Sequence, residues 1–125
     1  MCIRDRRSEQ LIVLAGGETA ATIAAAAAGT NGTNTAMVYG TDGGIVAAKL
    51  RMLEDDRHDQ PIYAPVPIIR EAVLKQYPRI APLVKPLMES FSRETLQQLN
   101  ARVQVDGESE ETVAGEYLRA QGFVR

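Results

Sequence analysis

Apolar residues gather in short unbroken runs along the first part of the chain and in helically spaced sets along the rest. Leu11-Ile12-Val13-Leu14, running up to Gly16-Gly17, predicts a buried strand. Thr19 to Ala28 is nearly all alanine, the best helix former, and Gly29 stops it. After the turn cluster Gly29 to Thr33, Thr35 to Tyr39 predicts a second strand. Its continuous Ala36-Met37-Val38 suits the interior of a parallel sheet. Thr41-Asp42-Gly43-Gly44 then turns the chain into a short helix over Ile45 to Lys49. Leu50, Met52 and Leu53 predict a third strand, closed by Glu54-Asp55-Asp56. Val66 to Ile69, punctuated by Pro65 and Pro67, predicts a fourth.

Beyond Arg70 the period changes. Glu71 to Tyr77 reads as a helix stopped by Pro78. Ile80, Leu83, Val84, Leu87 and Met88 recur at helical spacing. Pro82 suits the opening of that helix, whereas Pro86 predicts a kink or an end. Ser92 is a good N-cap for a helix through Asn100, with Leu96 and Leu99 on one face. Val103 and Val105 predict a brief extended stretch that turns at Asp106-Gly107. Glu108 to Arg119 is the last helix, begun by acidic residues that complement its positive end. Gly122 ends it, and Phe123 is expected to dock back on the body. Strands and helices in this order imply an α/β fold.

The chain has 125 residues, enough for a single domain with its own core. A net charge of −2 gives no electrostatic reason to bind nucleic acid or an anionic membrane surface. Met1-Cys2-Ile3-Arg4-Asp5-Arg6 reads as the translated end of a transposase sequencing adapter. Residues 1–6 are therefore expected to be an artefact of assembly, with the native start lying upstream. Cys2 is the one cysteine, and setting it aside leaves neither a disulfide nor a thiol site. No apolar run reaches the roughly 18 residues that span a bilayer.

Candidate chemistry concentrates in two loops, marked by Tyr39 and Tyr63. Glycine-rich turns after strands are where α/β folds place ligands. Tyrosine ring faces attract a cation that has no N–H to donate. On pattern alone, a packed tyrosine with a satisfied hydroxyl is the stronger reading of Tyr39. Thr41 offers a hydroxyl to a ligand carboxylate or hydroxyl. Asp42 is a helix N-cap or a cation contact, the first being favoured. His58, the single histidine, lies in an acidic loop and reads as solvated. Glu54, Asp55, Asp56 and Asp59 lack the alternating spacing and glycine of a calcium loop, so no metal is assigned. Tyr77 and Tyr117 read as packing residues. No nucleophile and base are paired, so no catalytic residue and no cofactor are assigned.

Several motifs resemble the substrate-binding proteins of osmoprotectant importers for glycine betaine, choline and carnitine. They are Tyr39-Gly40-Thr41-Asp42-Gly43, Leu53-Glu54-Asp55-Asp56-Arg57-His58, and Pro61-Ile62-Tyr63 followed by Pro65, Pro67 and Arg70. Glu94-Thr95-Leu96-Gln97-Gln98-Leu99-Asn100 and Val105-Asp106-Gly107-Glu108 continue the match, which covers nearly all of residues 17–125. Many relatives have proline at Ile62, asparagine at Ala64 and serine at Gly40, and an aromatic pair at Asp59-Gln60; these departures bear on ligand preference. The resemblance implies a two-lobed, type II periplasmic-binding-protein fold that closes like a hinge, with only its C-terminal portion present. Residues 7–38 would end the second lobe, and 39–125 would supply the crossover and the C-terminal part of the first. It reverses the balance at Tyr39 and implies a ligand site of Tyr39, Thr41, Asp42 and Tyr63 for a quaternary-ammonium osmolyte. It also implies permease and ATPase partners and a place outside the cytoplasm. The competing expectations are an enzyme on a similar scaffold, or a truncated fragment inactive by itself.

Overall fold

The computed structural model describes residues 11–14, 18–58 and 64–125. Helices α1 (Thr19–Ala28), α2 (Gly43–Ala47), α3 (Glu71–Gln76), α4 (Ile80–Ser90), α5 (Arg93–Gln104) and α6 (Glu110–Ala120) follow one another, with a 3-10 turn at Thr30–Gly32.

Among the described residues there is no strand. The four segments expected to be strands run as irregular backbone instead. A strand exists only through its ladder, and none of these segments pairs with another. Their apolar side chains are correspondingly uncovered: Val13 is 82% exposed, Met37 81% and Ile68 94%. The expected sheet is thus not formed by these residues among themselves.

The helices follow local signals more closely. α1 has the expected bounds, and Gly29 takes the left-handed conformation (φ 66°) that ends it. The Ser92 hydroxyl accepts from the Thr95 N–H at 3.0 Å, capping α5 as expected. α5 does not stop at Asn100 but runs to Gln104, so Val103 is helical and the expected extended stretch begins too early. Propensity explains this, because the turn signal is Gly107 (φ 74°) and no breaker precedes it. α4 likewise passes through Pro86. Pro86 forfeits only its own bond to the Pro82 carbonyl, and the helix continues on either side. α6 begins at Glu110, capped by the Ser109 hydroxyl on the Thr112 N–H at 3.2 Å. It ends in paired bonds, Phe123 N–H to Leu118 O and Gly122 N–H to Arg119 O, with Gly122 at φ 74°.

Packing centres on α5, which lies against α2 on one side and α6 on the other; α1 leans on α2. Among the described residues the buried apolar ones are few: Ile23 from α1, Ile45 from α2 and Val113 from α6. Tyr117 is a packing residue as expected. It stacks on Phe91 at 5.5 Å, and its hydroxyl lies 2.9 Å from Ser90 Oγ and 3.1 Å from the Ser90 carbonyl. Tyr77 is not packed, at 55% exposed, and Phe123 remains 37% exposed rather than docked.

Candidate ligand-binding site

The segment Tyr39 to Gly43 is a closed turn held from two directions. From within, the Asp42 N–H donates to the Tyr39 carbonyl at 3.0 Å, and Asp42 Oδ2 accepts from the Tyr39 N–H at 2.9 Å. Asp42 occupies the N-cap position of α2, yet its side chain makes no cap bond to that helix. It reaches back to Tyr39 instead. The carboxylate is buried, at 9% exposed, because the turn folds around it.

From outside, α5 grips the turn with three polar side chains. Gln97 Nε2 donates to the Gly40 carbonyl at 2.7 Å, and Asn100 Nδ2 to the Thr41 carbonyl at 2.7 Å. Gln104 Oε1 accepts from the Gly43 N–H at 3.2 Å. Successive peptide groups of the turn are therefore satisfied by amide side chains spaced along one face of α5. This requires close approach. A Cβ on Gly43 would lie 2.2 Å from the Ala101 nitrogen and 2.5 Å from the Asn100 carbonyl carbon. Only glycine lets the two backbones meet there.

Tyr39 stands at the mouth of this turn with its side chain 54% exposed. Thr41 is half-buried, and its hydroxyl and N–H make no hydrogen bond among the described residues. Tyr63, the second expected tyrosine, lies outside the described residues. The structure brings Tyr39, Thr41 and Asp42 together in one turn. His58 is exposed, as expected, at φ 54°. An open cleft of about 340 Å³ adjoins the turn, lined by Lys49, Arg51, Met52, Arg93 and Gln97 among others. Tyr39 does not line it.

The far end of α5 is anchored independently. Arg102 donates to both oxygens of Glu108, at 2.7 and 2.5 Å, and to Glu116 at 2.6 Å. Those bonds raise the Arg102 pKa well above its ordinary value, through Glu108 first and Glu116 second. They hold the Glu108 carboxyl below the usual range, again chiefly through the hydrogen bond to Arg102.

Gln97, Asn100 and Gln104 were not singled out in the sequence, where α5 reads through Leu96 and Leu99. A signal was present. The three polar residues recur three and four positions apart, a stripe as regular as the apolar one. Nothing in the sequence alone says that this stripe is the one that meets the turn.

Residues 10–120 match the OpuAC family, described as the substrate binding domain of the ABC-type glycine betaine transport system. Across 117 residues the chain is 49% identical to the glycine betaine-binding protein YehZ of Escherichia coli K12, covering 94% of this chain and 38% of that protein. It is 39% identical over 79 residues to the glycine-betaine-binding protein of Pseudomonas aeruginosa, covering 63% and 25%. The solved structure of apo YehZ from Escherichia coli superposes with a TM-score of 0.78 at 48% identity, covering 95% of this chain and 42% of that one. The chain thus spans less than half the length of these relatives.

Proposed function

The chain belongs to the OpuAC family of substrate-binding domains, and from this membership we propose that it is part of the solute-binding component of an ABC-type importer. Its ligand is a quaternary-ammonium osmolyte such as glycine betaine. The observation that carries this reading is the 49% identity to a glycine betaine-binding protein along nearly the whole chain. The partners are a permease and an ATPase, and the site of action is outside the cytoplasm. No chemistry on the ligand is involved.

In this reading the complete fold is α/β and two-lobed. Residues 7–38 end the second lobe, and residues 39–125 supply the crossover and the C-terminal part of the first. The exposed apolar segments then become strands when they pair with polypeptide of the same fold. Tyr39 and Tyr63 present ring faces to the trimethylammonium group, while Thr41 donates to the other end of the ligand. Asp42 closes the turn and adds negative charge beneath the cation. Each ring contributes roughly 0.5–2 kcal/mol. A micromolar complex needs about 8 kcal/mol, so two rings do not suffice and further walls complete the cage.

Titration calorimetry with glycine betaine, choline and carnitine tests the assignment on the complete wild-type protein that contains this chain and on its Tyr39→Ala and Tyr63→Ala variants. Weakened binding in both variants is expected. Unchanged affinity in both removes these tyrosines from the site.

A further inference from the structure

We propose that Gln97 is a positioning residue that aims the donors of Thr41 at a ligand carboxylate, and so sets discrimination between zwitterionic osmolytes and a cationic alcohol. This rests on the osmolyte-binding reading above and deepens it.

In a trans peptide the C=O and the following N–H point in opposite directions, and no described peptide is cis. Gln97, only 8% exposed, takes the Gly40 carbonyl at 2.7 Å. That bond directs the Thr41 N–H away from α5. The next peptide shows the same alternation. Asn100 takes the Thr41 carbonyl, and the Asp42 N–H is found on the other side, bonded to Tyr39 O at 3.0 Å. Asp42 N–H is thus used up within the turn. Thr41 N–H and the Thr41 hydroxyl are not, since neither makes a bond among the described residues.

Two donors on one residue, beside an exposed tyrosine ring, suit an oxyanion joined to an onium group. Hydrogen bonds to a charged acceptor are roughly twice as strong as neutral ones. A carboxylate therefore depends on these donors more than a hydroxyl does. Asn100 and Gln104 hold neighbouring peptides, but Gln97 alone holds the peptide whose N–H is left free for a ligand.

The test compares glycine betaine with choline on the complete binding protein that contains this chain, by calorimetry, for wild type, Gln97→Leu and Gln97→Glu. Gln97→Leu is expected to weaken glycine betaine by about tenfold or more and choline by about twofold or less. Gln97→Glu introduces a titrating carboxyl into a cleft that also holds Lys49, Arg51, Arg93 and Glu94, with wild type as the reference. Ionised, the new carboxylate repels the Gly40 carbonyl; protonated, it donates again, and burial favours that form. Glycine betaine affinity of Gln97→Glu should therefore recover between roughly pH 8 and pH 5, while choline affinity stays level. Circular dichroism checks folding, and if Gln97→Leu does not fold, the acid arm of Gln97→Glu decides. Equal losses for both ligands, or no pH step in Gln97→Glu, overturn the positioning role. A complete wild-type protein that binds neither ligand overturns the osmolyte reading itself, and this proposal with it.

Discussion

Gly43→Ala is the sharpest perturbation of the turn. The added methyl would lie 2.2 Å from Ala101 N, 2.5 Å from Ala101 Cα and 2.5 Å from the Asn100 carbonyl carbon. All three are backbone atoms within α5, so no side-chain rotation relieves the clash. Reaching ordinary contact at 3.4 Å needs α2 and α5 to part by about an ångström. The amide bonds at 2.7 Å to Gly40 and Thr41 and at 3.2 Å to Gly43 cross that same gap and would be stretched beyond useful range. Overpacking of this kind costs about 1–3 kcal/mol, and each lost bond adds about 1 kcal/mol. A total loss of about 3 kcal/mol or more is expected, lowering Tm by roughly 10 °C. Gly115→Ala in α6 is the control. Its methyl would sit 3.5 Å from the flexible end of Arg119, an ordinary contact. Replacing a mid-helix glycine there should raise stability by about 0.5–1 kcal/mol. Urea denaturation of both variants measures the difference. Equal stabilities, or a Gly43→Ala chain as stable as wild type, would refute the backbone-contact account of the α2–α5 interface.

Two further outcomes follow from the structure. Lys49 sits at φ 54° just after α2, where the Lys49 and Leu50 N–H groups close the helix on Val46 O and Ile45 O at 3.0 and 2.9 Å. Glycine holds that conformation without the side-chain penalty, so Lys49→Gly should stabilise the chain by about 1 kcal/mol in the same denaturation assay; a destabilised variant would show that the lysine side chain contributes more than its strain costs. The second concerns acid. Arg102 depresses the folded-state pKa of Glu108, so this pair's contribution is complete above the unfolded-state pKa and is lost as the pH falls through the folded one. Glu108→Gln should flatten that part of the stability–pH curve, measured by thermal melting across the acid range, and superimposable curves for the two proteins would refute the linkage.

Local chemistry made much of this protein readable from its residues. Alanine propensity set α1, a hydroxyl N-cap set the start of α5, and left-handed glycines set the ends of α1 and α6. The Tyr39–Gly43 turn was legible for the same reason, since its signals lie within a few consecutive residues. Tertiary structure decided what depends on partners distant in sequence. Apolar runs such as Val66 to Ile69 have strand composition, but a strand needs a hydrogen-bonding neighbour, and none exists among the described residues. Which stripe of α5 meets the turn was likewise undetermined, because Leu96 and Leu99 and the amides Gln97, Asn100 and Gln104 share the same helical period. Only the approach of Gly43 to the α5 backbone selects the amides to hold the turn. A local pattern specifies a conformation; the identity of its partner is a property of the folded chain.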